Sequence, residues 1–156
     1  KILTMKKIFG FISLISAILA FQACEVDHSY ESTDDPVLSY YQIAGTWKLS
    51  EWKGAAMNDG RFFYMTLVSK DTEFTIWHNL DSARPISLTG TFTMEYDEDG
   101  GVNVISGIYD HEYGLWANDY IVTLKGADSM VWTSVSDPED VSVYIRSELP
   151  EDIQGI

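Results

Sequence analysis

Residues 87–95 read SLTGTFTME. Leu88, Gly90, Phe92 and Met94 fall on one face of an extended chain, and Ser87, Thr89, Thr91, Thr93 and Glu95 on the other. Successive side chains of a strand point to opposite sides, so this is a strand with one dry face and one wet face. The same two-residue period recurs over 46–52, 62–68, 73–78, 102–109, 118–125, 129–134 and 140–147, with Gly, Asp, Asn and Pro between the runs. No long segment carries a 3.6-residue period, and residues 36–44 (PVLSYYQIA) have room for one short helical turn.

Eight strands within about 100 residues point to an all-β sandwich or a closed antiparallel barrel. The connections separate the two. Those after the first, third, fifth and seventh strands have 9, 8, 8 and 5 residues, and those after the second, fourth and sixth have 4, 5 and 3. An up-and-down meander sends alternate connections to opposite ends, which gives one end of longer loops and one of tight turns. A Greek-key sandwich supplies no reason for that alternation. Closure also removes the two open edges of an eight-strand meander. The expectation is an all-β, eight-stranded up-and-down antiparallel barrel over residues 36–153, with a short N-terminal helical turn.

Hydrophobic residues make up 46% of the 156 and aromatics 13%, enough to bury a core rather than stay disordered. From Cys24 onward, seven bases face 24 acids, a net charge of −17. Such a field repels phosphate backbones and anionic membrane surfaces, which excludes nucleic acid as a partner and leaves no electrostatic route to a membrane. The single cysteine rules out an internal disulfide framework and a Cys-rich zinc site.

Residues 1–24 read KILTMKKIFGFISLISAILAFQAC. Met5 is the expected start, Lys6 and Lys7 form a positive flank, and 8–21 is a 14-residue apolar stretch. That length suits a signal segment and falls short of the ~20 residues of a membrane helix. Ala23 places a small residue directly before Cys24. The segment resembles a bacterial lipoprotein signal, which implies removal of 1–23, lipidation of Cys24 and a place in the cell envelope as an outer-membrane lipoprotein, periplasmic or surface-exposed. The other reading is a plain secretory signal, or an uncleaved helix, with an unmodified cysteine. Residues 24–35 are acidic and nearly free of aliphatics, and read as a flexible tether.

Gly45-Thr46-Trp47 opens the first strand, and Val143-Tyr144-Ile145-Arg146 lies in the last. Gly-x-Trp with an arginine packed over the indole is similar to the structural signature of lipocalins. The chain also resembles a family of lipocalin-like domains in small lipoproteins of Gram-negative gut bacteria. The stretches that carry this resemblance are the Gly45-Thr46-Trp47-Lys48-Leu49 start, Ser106-Gly107-Ile108-Tyr109, Trp116 with Tyr120, and the Val143 to Arg146 stretch. The resemblance covers about residues 36–153 and implies a calycin barrel closed structurally by Gly45, Trp47 and Arg146, without implying one ligand. The physical sense of the pair is that a large ring plugs the narrow end while a guanidinium stacks on it and donates to terminal carbonyls.

The chemistry-bearing residues are sparse. His28 lies in the tether; His78 and His111 begin longer loops, with Asp110 and Glu112 beside His111. Two histidines and a carboxylate can hold a metal, but no local ligand spacing such as H-E-x-x-H is present, and no metal is expected. Asp97-Glu98-Asp99-Gly100-Gly101 resembles half a calcium loop, yet lacks the closing Glu and reads as a polar turn. There is no G-x-S-x-G, and Cys24 is committed to the anchor. A non-catalytic protein without a cofactor is expected. The longer-loop end gathers Trp52, Lys53, Met57, Arg61, His78, Arg84, Tyr113, Trp116 and Tyr120, an aromatic mouth with three of the seven cations. That suits a small hydrophobic or amphipathic ligand, its head anionic, bound by a monomer. The inward candidates, among them Trp47, Phe63, Met65, Phe74 and Phe92, are bulky enough to fill the barrel instead. The alternative is therefore an envelope module that contacts a protein or glycan through its loops. Asp81-Ser82-Ala83 and Asp128-Ser129-Met130 also resemble bacterial O-glycosylation acceptors.

Overall fold

A computed structural model describes residues 36–82 and 84–156. Cys24, His28, the signal segment and the tether up to residue 35 lie outside the described residues, as does Ala83 of the first acceptor tripeptide.

The helical turn α1 (Tyr40–Ile43) is followed by β1 (Gly45–Trp52), β2 (Ala55–Ala56), β3 (Phe63–Val68), β4 (Glu73–His78) and β5 (Ile86–Asp97). Then come β6 (Val102–Tyr109), β7 (Gly114–Leu115), β8 (Tyr120–Leu124), β9 (Ser129–Ser134) and β10 (Val141–Arg146). The eight long strands are those the alternation predicts. Each pairs antiparallel with the next long strand, and β10 pairs with β1, so the sheet is a closed up-and-down barrel. In β5, Gly90 and Phe92 are buried, Leu88 and Met94 half-buried, and Thr89, Thr91, Thr93 and Glu95 exposed.

Two ladders were not foreseen. Trp52 pairs with Ala55 across the two-residue turn Lys53-Gly54, both with positive φ, as a type I′ hairpin requires. Tyr109 pairs with Gly114 across residues 110–113. In both places the returning strand begins as two residues (β2, β7), leaves the ladder, and rejoins it as β3 or β8. Two of the longer loops are therefore ribbons extending the barrel wall at one end.

At the other end the barrel is sealed. Trp47 is wholly buried, and its indole N–H donates to the Ile43 carbonyl at 2.8 Å. The Arg146 guanidinium lies 4.2 Å from the Trp47 ring centroid. Its Nη1 donates to Ala44 O (2.8 Å), Nη2 to Gln42 O (3.2 Å) and Nε to Ala127 O (3.0 Å). The carbonyls that end a helical turn have no partner within it, and here one guanidinium supplies it. Gly45 makes room: a Cβ there would stand 2.5 Å from Arg146 Nη1, and its φ of +120° disfavours any side chain. Trp47 and Arg146 are also direct partners in the β1–β10 ladder, which slips register at Ser50 before Glu51 meets Val143. The chain ahead of α1 is pinned beneath this floor. Asn103, buried on β6, accepts from Leu38 N–H and donates to Pro36 O, each at 2.8 Å, while the Tyr40 hydroxyl accepts from Met94 N–H at 2.8 Å.

Lysine cannot reproduce the planar stack or the three-way fork of hydrogen bonds. Arg146→Lys is expected to cost about 2–4 kcal/mol in urea unfolding, whereas exposed Lys70→Ala stays within about 0.5 kcal/mol. Equal midpoints for the two variants would remove Arg146 from the closure.

Candidate functional site

The end opposite the floor holds a cavity of about 220 Å³. Its wall is built by strand alternation: Leu49 from β1, Phe63 and Met65 from β3, Ile76 from β4, Trp132 from β9 and Tyr144 from β10. Trp52, Leu80, Ala117 and Asp140 form its upper rim, and Tyr109, Trp116, Tyr120 and Ser142 complete it.

Trp116 is the one ring delivered from a break in a strand. Leu115 in β7 faces out and is 75% exposed; the chain then leaves the β6 ladder, and Trp116 turns in to 8% exposure. Gly107 makes this possible, since a Cβ there would lie 2.1 Å from the indole, and Gly107 O accepts from the Trp116 N–H at 2.8 Å. The Ser106-Gly107-Ile108-Tyr109 and Trp116 to Tyr120 stretches thus meet across one ladder. The indole packs 5.0 Å from Phe74 and 5.5 Å from Trp132, and Trp132 lies 5.4 Å from Tyr120 and 5.2 Å from Tyr144, all within the range of favourable ring pairs.

Two polar facts define what this wall offers. The indole N–H groups of Trp116 and Trp132 are sealed from solvent without a hydrogen-bond partner among the described residues. Both side chains line the cavity, so what they turn to it is carbon surface. Burial raises the pKa of Tyr109, Tyr120 and Tyr144, and Asp140 pushes the last two the same way, so all three are neutral hydroxyls.

Of the sequence-predicted mouth residues, Trp52, Trp116 and Tyr120 come together around the cavity. Trp52 donates its indole N–H to Asp140 Oδ1 at 2.7 Å. The three cations are not in the lining. Lys53 Nζ lies 3.5 Å from Asp137 and 3.7 Å from Asp140, outside the rim. Arg61 donates to the carbonyls of Asn79 and Ser82, tying one mouth loop to the next; Asn79 strengthens the tie through Phe62 N–H and Gly60 O. Arg84 is exposed beside Ser82. Met57 is half-buried and packs on the core from the return of the first ribbon, and Tyr113, 70% exposed, caps the second. Among the described lining residues the charged one is an acid, Asp140, rather than a base.

Sequence reasoning missed Tyr109, Trp132, Asp140 and Tyr144 as mouth residues. The alternation puts Trp132 and Tyr144 inward, but strand order alone does not say how deep. Asp140 lies at the end of the shortest of the four longer loops and carried no signal.

His78 ends β4 on the inner face, 8% exposed, stacked on Phe63 at 6.0 Å between ring centroids. Its Nδ1 accepts from Leu80 N–H at 3.3 Å. His111 is exposed in the tip of the second ribbon, and no group of three or more metal-ligating side chains occurs among the described residues. Burial lowers the His78 pKa from 6.5, against a smaller opposite pull from Asp81. The unfolded chain therefore binds this proton more readily than the folded one. Stability from neutral His78 is present above pH 6.5 and is lost as pH falls through the lower folded value. Between pH 7 and 5, wild-type stability should fall faster than that of His78→Gln, by up to ~1.4 kcal/mol per pH unit. Parallel curves in denaturant titrations would refute the assignment.

No protein-family model matches the chain, and no curated protein matches it.

Proposed function

We propose that the chain is a lipocalin-like, non-catalytic binding protein that holds a compact hydrophobic or amphipathic ligand in the mouth of its barrel. The observation that carries this reading is the cavity of about 220 Å³ walled by aromatic rings. It exceeds the ~150 Å³ of an apolar cavity that takes up benzene and falls below the ~300–1,000 Å³ of drug-sized pockets. The matching ligand has one or two rings rather than a long acyl chain. The barrel works as a monomer, carried at the outer membrane by a lipid on Cys24 and the acidic tether.

A second reading is favoured by one observation. Tyr113 and Leu115, 70% and 75% exposed, project from the ribbon between β6 and β8. Such residues suit contact with a protein or glycan.

Trp116 and Trp132 make the cavity its own reporter. One- and two-ring aromatics should change the intrinsic fluorescence saturably, while a 16-carbon fatty acid should not. Ala117→Trp, placed at the rim, should weaken binding about tenfold or more, roughly 1.4 kcal/mol. No saturable change across such a panel would reject the ligand-binding reading and leave the loop-contact one. For the anchor, Cys24→Ser should move the protein from the membrane fraction to the soluble envelope fraction, and unchanged membrane retention would exclude lipidation there.

A further inference from the structure

The electrostatics of the mouth select among amphipathic ligands. Its rings present carbon surface, its hydroxyls are neutral, and Asp140 is the one carboxylate among the described lining residues, which include no base. Lys53 shows what such a rim attracts. Its ammonium lies 6.0 Å from the Trp52 ring centroid and within 4 Å of both Asp137 and Asp140. It thus has an aromatic face on one side and two carboxylates on the other. One half-exposed ammonium leaves the pair of acids with a net negative charge.

Resting on the reading of the cavity as a ligand site, we propose that it takes a small organic cation, a protonated or quaternary amine on a one- or two-ring body, with Asp140 as its counter-ion. Ring faces attract a cation through their quadrupole, best when water is excluded, and an aromatic wall with a carboxylate at its edge stabilises an ammonium more than a neutral group. An anionic head meets the reverse: no base is among the described lining residues, Asp140 repels it, and the folded chain around it is strongly acidic. The sequence placed Lys53, Arg61 and Arg84 at the mouth, but Lys53 and Arg61 are engaged by carboxylates and loop carbonyls, and Arg84 is exposed outside the lining.

Three probes of equal size separate the possibilities: 2-phenylethylamine, 2-phenylethanol and phenylacetate, titrated by tryptophan fluorescence at pH 7. The amine should bind about tenfold or more tightly than the alcohol, and phenylacetate most weakly. Asp140→Asn keeps an acceptor for the Trp52 N–H and should bring the amine-to-alcohol ratio close to one. Lys53→Asn creates an Asn-Gly pair suited to the type I′ turn, so the hairpin survives. With its competing ammonium gone, amine affinity should rise severalfold. If the alcohol binds as well as the amine, the cavity stands as a ligand site and its cation preference falls. A ratio unchanged in Asp140→Asn, or an amine weakened by Lys53→Asn, overturns the counter-ion assignment. Binding of none of the three overturns both this inference and the function on which it rests.

Discussion

The contact between Arg146 and Trp47 holds the two ends of the sheet together. An eight-stranded meander has no barrel unless its first and last strands meet, and these two residues are direct partners in the ladder that joins them. The pair does more than mark the seam. The indole N–H holds Ile43, and the guanidinium holds Gln42, Ala44 and Ala127. Four carbonyls that lie outside regular strand pairing are thereby satisfied, and that of Ile43 is in a buried place, where leaving it unpaired costs about 1–3 kcal/mol. The same contact forces glycine at position 45, because the guanidinium occupies the space of its Cβ. Gly45 and Trp47 in the first strand are thus tied to Arg146 in the last by one packing constraint.

The strands were legible because they follow from a local rule, whereas the floor was expected only through the resemblance that Gly45, Trp47 and Arg146 carry. A period of two assigns each residue to a face without knowledge of its neighbours, and β4, β6 and β9 begin and end where the pattern does. What escaped was the return geometry of the ribbons. Ala55-Ala56 and Gly114-Leu115 are too short and too weakly patterned to read as strands, and they pair only because the preceding turns fold them back. Asn103 escaped for a related reason. It looks like a polar residue interrupting a strand, and its burial makes sense only with the backbone of Pro36 and Leu38 laid across it.

The mouth was legible in composition and not in arrangement. Trp116 and Tyr120 announced an aromatic end, but of the cations grouped with them Arg61 binds carbonyls, Lys53 pairs with carboxylates, and Arg84 is exposed outside the lining. Counting charges near predicted loops does not reveal this, because a long basic side chain reaches for the nearest acceptors. At a rim built of turns, those are free backbone oxygens. Arg61 meets two of them. Gly107 was visible as part of a spacing, but the reason for it, an indole lying where a side chain would be, belongs to the fold.

Whether an eight-stranded barrel is solid or hollow depends on how its inward residues are distributed along the axis, not only on their total bulk. Here Trp47, Met65, Phe92, Ile105 and Met130, all essentially inaccessible, close the lower part. Toward the mouth the inward residues change character to Tyr109, Tyr120, Trp132 and Tyr144, rings with a polar group at one edge. A phenol cannot be driven into an apolar centre without a partner for its hydroxyl, so such rings stand against the wall where hydroxyl, carboxylate or amide groups lie near. Ser142 and Asp140 line the cavity beside the rings of Tyr120 and Tyr144. The rings of Tyr109, Tyr120, Trp132 and Tyr144 stand on the wall and leave the space between them as the cavity. The inward residues thus pass from tightly packed side chains at the floor to rings along the wall at the mouth, and the neutral hydroxyls and the Asp140 carboxylate among them set the chemistry of what can enter.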